Sequence, residues 1–315
     1  MYSRVFTIAG VLLIGAAALY GAEEPAKPKR EPIYQVDGRG TQRVKAALVR
    51  AGADNKRVLL MVGGNWCGWC YKLHDVFQQD GTVASLIRSE YDLVMIDSQA
   101  DKDVIAKWKI QPQGYPYLAV VDATGKKLTE QETGSLEIGS KHDPRRVAAF
   151  LERWRAQPLE ASEVFAAALK QARTQEKNIF IRIGAPWCGW CRRMDKFLAQ
   201  PPIAKIVEKD YVVVKIDQQR MTNAKAVIDK IRKPSEGGGI PWFAFLDAKG
   251  NILVTSTRPD GRNVGFPVDR QTEIPHFVNM LKQTRSKITD ADIELLVKAL
   301  VAADPRRRTE TQRSR

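Results

Sequence analysis

Trp66-Cys67-Gly68-Trp69-Cys70 returns unchanged as Trp187-Cys188-Gly189-Trp190-Cys191, and these two pentapeptides hold all four cysteines of the chain. Working outward, Tyr91-Asp92-Leu93-Val94-Met95-Ile96-Asp97 answers Tyr211-Val212-Val213-Val214-Lys215-Ile216-Asp217. Tyr117-Leu118-Ala119-Val120-Val121-Asp122-Ala123 answers Trp242-Phe243-Ala244-Phe245-Leu246-Asp247-Ala248. Order and spacing agree, apart from a short insertion around Gly237-Gly238-Gly239. One supersecondary unit is therefore used twice.

Within each unit the apolar periodicity predicts an amphipathic helix (residues 41–51 and 162–174), a strand (58–62 and 179–183), and then a helix opened by the cysteine pair. A further strand, a helix and a two-stranded hairpin follow, with Asp122 to Gly125 and Asp247 to Gly250 as the hairpin turns. Strands and helices mixed in this order imply an α/β fold with a central mixed sheet covered by helices on both faces. Asp143-Pro144-Arg145 reads as an N-cap followed by proline at the first helical position, and Pro158 marks the boundary between units. Thr289 and Asp292 open one more helix, to about residue 302. The expected organisation is an export signal at 1–22, a linker at 23–31, domains at 32–157 and 158–285, and a helix with a basic tail at 286–315.

A chain of 315 residues, 44% hydrophobic, is long enough to bury two cores. Arg4 followed by an apolar run over residues 5–20 reads as the export signal, because the run is short for a bilayer span. Cleavage near Gly21 or Ala22 is expected, with an uncleaved membrane anchor as the alternative. The compartment expected is the periplasm. A net charge of +14 suits nucleic acid, but export removes the chain from it, so no nucleic-acid partner is expected. Part of that charge sits in the tail, where Arg306, Arg307, Arg308, Arg313 and Arg315 face only Glu310. A solvated tail is the expected reading.

Cysteines three residues apart close a tiny loop and gain little loop-closure entropy, so stability is a poor reason for either pair. Where a strand gives way to a helix, the first cysteine meets the free N–H groups and the dipole of the helix start, which favour thiolate. Cys67 and Cys188 are the expected nucleophiles. Cys70 and Cys191, one turn on, are placed to attack a mixed disulfide and release the product.

Both halves resemble exported thioredoxin-superfamily domains with a Trp-Cys-Gly-Trp-Cys site and little or no first strand, over residues 32–285. The resemblance implies two tandem thioredoxin-like domains that exchange disulfides, and a cis-proline opposite each dithiol. Tyr115-Pro116 and Ile240-Pro241, following Gly114 and Gly239, stand at the matching places. A cis X-Pro bond leaves the preceding backbone free to pair with an extended substrate, so Tyr115 and Ile240 are expected to make that contact. Trp66 and Trp187 match the tryptophan that offers substrates an apolar surface, with core packing as the other reading. Trp69 and Trp190 fall in the dipeptide that tunes the redox potential.

Thioredoxin also carries a buried acid before its motif and a lysine on the next strand. The matching positions read here as Met61 and Leu93, and as Arg182 and Val213, so that proton relay is expected to be absent. Arg182 is either turned to solvent, the favoured reading, or facing sulfur. If it faces sulfur, then with Arg192 and Arg193 it favours thiolate, and the second pair is the more oxidising.

Two Cys-x-x-Cys pairs also suit a structural zinc with four cysteine ligands, but the pairs are far apart and belong to separate units. His74, His142 and His276 form no cluster in the sequence, and no metal is expected. A thioredoxin-like peptide-binding or assembly module is the other rival. No nucleotide loop, hydrolytic constellation or flavin fingerprint accompanies the dithiols. No cofactor is expected, and turnover needs an external redox partner, a membrane-bound dithiol relay. The clients are exported proteins with disulfides or thiols. The direction of electron flow stays open between reductase, oxidase and isomerase, leaning to reductase.

Overall fold

The computed structural model of the protein describes residues 30–236 and 238–304; the expected export signal and the tail beyond 304 lie outside them. Helix α1 (Gly40–Ala53) precedes β1 (Arg57–Gly63), α2 (Gly68–Gln79), α3 (Gly81–Glu90), β2 (Tyr91–Asp97) and α4 (Lys102–Lys107). Strands β3 (Tyr117–Val121) and β4 (Lys127–Glu132), the small hairpin β5 (Glu137–Ile138) and β6 (Lys141–His142), and α5 (Pro144–Trp154) follow. The chain continues through α6 (Ala161–Gln175), β7 (Asn178–Gly184), α7 (Gly189–Leu198), α8 (Pro201–Val207), β8 (Tyr211–Asp217) and α9 (Ala224–Ile231). It ends with β9 (Trp242–Leu246), β10 (Ile252–Thr255), α10 (Glu273–Thr284) and α11 (Asp290–Ala302).

Two four-stranded sheets share one order. β2-β1-β3-β4 in the first corresponds to β8-β7-β9-β10 in the second, the first pair parallel and the others antiparallel. Both central strands are covered on both faces, which is why they read as unbroken apolar runs. Alternation decides which side chain goes where. Val58, Leu60 and Val62 meet Val44, Ala47 and Ala51 of α1, while Leu59 and Met61 point into the core that holds Cys70, Leu73 and Phe77. In the second sheet Ile179, Ile181 and Ile183 face α6 and α9, and Phe180 faces the core of α7, α8, α10 and α11.

Local chemistry fixes the element ends. The Asp143 carboxylate accepts from Arg145 N at 2.9 Å with Pro144 at the first turn, starting α5. Thr289 and Asp292 form a capping box at the start of α11. At the β3–β4 and β9–β10 turns, Gly125 (φ 91°) and Gly250 (φ 95°) take a conformation that a side chain disfavours. Helix α11 is no appendage: Ile293, Leu296 and Leu300 are buried in the second core, and Asp210 accepts from the backbone N–H groups of Ser286, Lys287 and Ile288 just before it.

Buried charge joins the two halves. Arg220, after β8, donates to both carboxylate oxygens of Glu90 (3.0 and 2.9 Å) and to the carbonyls of Asp54 and Asn55 (2.8 and 2.7 Å). The two side chains are only 11% and 8% exposed, so little solvent screens the pair. Lys215 also reaches Asp54, at 2.9 Å. Removing one member of a buried pair strands the other, at a cost of about 3–5 kcal/mol. Arg220→Ala is therefore expected to lower stability by that order in chemical denaturation monitored by circular dichroism, whereas Lys225→Ala, on an exposed helix pair, is expected to change it by no more than about 0.5 kcal/mol.

Candidate active sites

Each cysteine pair sits where a buried strand runs into a helix. β1 ends at Gly63 and β7 at Gly184, and four residues later Cys67 and Cys188 take the N-cap positions of α2 and α7. The capping atom is sulfur: Cys67 Sγ accepts from Cys70 N and Cys188 Sγ from Cys191 N, both at 3.1 Å. The free N–H groups and the dipole of the helix start thus converge on the first sulfur of each pair. Both pairs are closed as disulfides, with S–S distances of 2.22 and 2.24 Å.

The proline loops lie beside these motifs. Tyr115-Pro116 and Ile240-Pro241 are both cis. Cys188 Sγ stands 3.5 Å from the carbonyl oxygen of Ile240, so the loop borders the reactive sulfur directly. In the first half Thr133 Oγ1 donates to the Pro116 carbonyl at 2.6 Å, and Tyr115 meets Trp66 edge to face with ring centroids 5.5 Å apart. Trp66 and Trp187 are 61% and 58% exposed, which removes core packing as their role and leaves an aromatic surface beside each disulfide.

The surroundings of the two pairs differ. Trp69 is half-buried: His142 of β6 meets it edge to face at 5.3 Å, and Lys72 Nζ lies 4.0 Å above its ring while donating to the Ser140 carbonyl. Its counterpart Trp190 is 43% exposed, flanked by Arg193 and Phe266. The small β5–β6 hairpin, present only in the first half among the described residues, makes the difference.

Comparison with known proteins agrees with this construction. The family model Thioredox_DsbH, described as "Protein of unknown function, DUF255", matches residues 144–302, and one described as a thioredoxin-like domain matches residues 44–138. The chain belongs to the thioredoxin-like DsbH family. It is 22% identical to the protein disulfide-isomerase erp38 of Neurospora crassa over 215 residues, 67% of this chain and 54% of that protein. It is 28% identical to the disulfide bond reductase DsbH of Chlamydia pneumoniae over 94 residues, 26% of this chain and 55% of that protein. The chain thus spans about half the length of these relatives. Among solved structures, a disulphide isomerase from Xylella fastidiosa Temecula1 shows 25% identity and a TM-score of 0.35, over 39% of this chain and 96% of that one.

Two sequence expectations for this DsbH-type chain need correction. The strand register pairs Met61 with Met95 and Arg182 with Lys215, so Leu93 and Val213 are not the cross-strand neighbours. A lysine does stand on the neighbouring strand of the second half. Arg182 is not turned to solvent either; its side chain is 16% exposed, paired with Asp195 of α7, and lines a small cleft with Cys191, Lys215 and Pro241. Lys215 bridges Asp195 at 2.7 Å and Asp54 at 2.9 Å. Burial works to raise the Asp54 carboxyl, but Lys215 overcomes it and holds the group below its usual range. Burial draws the Arg182 guanidinium down to about 10, with Asp54 opposing, and it stays charged at neutral pH.

The result is a balanced chain of two cations and two anions beside Cys191, so Arg182 does not act as an uncompensated positive charge. Of the other two arginines, Arg192 donates to the Pro186 carbonyl and Arg193 lies over Trp190. Asp195, Lys215, Asn65 and His142 escaped the sequence reading as site residues. Asp195 follows Cys191 by one helical turn and its acid was visible there, but the match with Lys215 needs the register. His74, half-buried on α2, makes no cluster, and no group of metal-ligating side chains stands together among the described residues.

Neutralising Asp195 removes an anion from the charge chain beside Cys191. With the first pair changed to serine, Asp195→Asn is expected to make the second pair more oxidising by about tenfold in its glutathione equilibrium, about 30 mV. A shift in the opposite direction would rule out electrostatic coupling to the sulfur. His142 gives a pH prediction. It is fully buried, neither ring nitrogen has a hydrogen-bond partner, and burial with Lys72 nearby draws it down to about 4. Between its unfolded value near 6.5 and about 4 the unfolded chain binds a proton that the native chain refuses, so stability falls as pH drops through that window. The loss is expected to reach about 3 kcal/mol at most, and His142→Phe should flatten it in urea unfolding followed across this range.

Proposed function

We propose that the protein is a thiol-disulfide oxidoreductase that exchanges disulfides in exported proteins through two Cys-x-x-Cys sites, carried by domains at 32–157 and 158–285. The observation that carries this reading is the position of the first sulfur of each pair. It caps a helix, beside an exposed tryptophan and a cis-proline loop. Such a sulfur is favoured as thiolate, and although Cys67 and Cys188 are each only 5% exposed, the exposed tryptophan beside each offers a protein substrate its first contact.

In the reducing direction Cys67 or Cys188 thiolate attacks a substrate disulfide, forming one mixed S–S bond and expelling one substrate thiolate. Cys70 or Cys191 thiolate then attacks the first cysteine, closing the protein's own disulfide and expelling the second substrate thiolate. The substrate gains two electrons, the protein loses two, and the two protons of the dithiol end on the substrate. Trp66, Tyr115 and Pro116, and Trp187, Ile240 and Pro241, hold the substrate chain beside the sulfur. The chain's likeness to a disulfide bond reductase supports the reducing direction, with exchange and isomerisation running through the same mixed disulfide. A membrane-bound dithiol relay restores the dithiols, and the expected export signal places the protein in the periplasm. Among the described residues no helix is long and apolar enough to cross a membrane.

Insulin reduction and refolding of a scrambled-disulfide substrate test the reading. The wild-type chain is expected to catalyse at least one, each of Cys67→Ser and Cys188→Ser to retain the other site's share, and the double variant to fall to the uncatalysed rate. Catalysis surviving in the double variant would mean that the dithiols are not the reactive groups.

A further inference from the structure

The first resolving cysteine has a neighbour that the exchange chemistry has not yet used. Tyr34 is 2% exposed, and its hydroxyl has no hydrogen-bond partner. A buried hydroxyl without a partner is costly, and it points to a state of the molecule in which the partner is present. Gly63 shows where that partner is. A Cβ built on Gly63 would fall 2.4 Å from Cys70 Sγ and 2.5 Å from the Tyr34 hydroxyl, so sulfur and phenol converge on the space that the missing side chain leaves.

The phenol is held there deliberately. Asn65, two residues before Cys67, accepts from Ile33 N and Tyr34 N and donates to the Tyr34 carbonyl, all at 2.9 Å. The residue just before the Trp-Cys-Gly-Trp-Cys motif thus also ties the preceding segment against the site. In the second half Pro186 stands at the place of Asn65, so this three-bond clamp cannot form there.

Resting on the redox role of the pair, we propose that Tyr34 is a positioning residue that donates a hydrogen bond to Cys70 Sγ once the first disulfide is open, most strongly when that sulfur ionises to resolve the mixed disulfide. In the closed pair Cys70 Sγ is bonded to Cys67 Sγ and carries no charge. When the dithiol relay supplies two electrons that bond breaks, and Cys67 is left as thiolate and Cys70 as thiol. Once Cys70 gives up its proton to resolve a mixed disulfide, its sulfur is a strong acceptor facing an unpartnered donor. The phenol keeps its own proton throughout. Burial, then Asp97 and Tyr71 close by, push Tyr34 upward in pKa, so it remains a donor at any physiological pH. Asp97 Oδ1 accepts from the backbone N–H groups of Gln99 and Ala100, and the Tyr34 hydroxyl makes no hydrogen bond to Asp97.

Both halves of the effect have one sign. The orphaned hydroxyl disfavours the disulfide, and the new hydrogen bond favours the dithiol. Tyr34→Phe removes both while keeping the ring. With Cys188 and Cys191 changed to serine, Tyr34→Phe is expected to shift the glutathione equilibrium of the first pair about tenfold toward disulfide, about 30 mV more reducing. It should also raise the pH at which Cys70 ionises in a Cys67→Ser background, read by the pH profile of alkylation. Replacing Tyr34 with 3-fluorotyrosine, a more acidic donor, should move the equilibrium the other way, which a purely packing role would not do. A Phe variant within twofold of its parent, or the two replacements shifting in the same direction, would overturn the role of Tyr34 and leave the exchange activity standing. A parent with no measurable equilibrium with glutathione would instead bring down the oxidoreductase reading, and this role with it.

Discussion

A sulfur atom at the first position of a helix is useful only if the strand delivering it cannot move. In both halves that strand is the central one, paired in parallel on one side and antiparallel on the other, and walled by helices on both faces. Burying nearly all of its side chains makes a one-residue slip prohibitive, since a slip would turn every apolar residue to the opposite layer. Everything at the sites follows from this fixed exit: the cysteine at the helix cap, the second cysteine one turn on, and the proline loop leading into the neighbouring strand β3 or β9.

Much of this was legible in the sequence, for definite reasons. The repeated pentapeptide set the two sites, and the unbroken apolar runs at 58–62 and 179–183 announced strands covered on both sides. The alternation along β7 puts Arg182 on the face of Phe180, toward α7, yet a lone arginine on a core strand read as turned to solvent because its partner Asp195 lies on another element. What stayed hidden depended on pairings between distant segments. The partner of Arg182 across the sheet is Lys215, two positions beyond Val213, and only the register tells them apart. Tyr34 reaches the first site because Asn65 draws in a segment about thirty residues upstream, and no local pattern marks that contact. The two-residue strands of the β5–β6 hairpin are too short to show a period.

The two sites share a cysteine geometry and differ in what surrounds the second sulfur. At Cys70 the neighbour is a neutral phenol without a partner, and a buried neutral imidazole covers Trp69 of the same motif. At Cys191 it is a chain of fixed charges whose far end, Asp54, belongs to the other half of the molecule. A neutral donor responds to the charge on sulfur, whereas a balanced ion chain mainly sets the field in which that charge appears. The two units thus set different chemistry beside the same sulfur.

The Arg220 contact has a mechanical meaning as well. One guanidinium gripping a carboxylate and two carbonyls of the opposite half fixes angle as well as distance, since its planar fork satisfies these acceptors in a single orientation. A displacement at the end of α1 or of α3 in one half is therefore transmitted to the turn after β8 in the other through a single side chain.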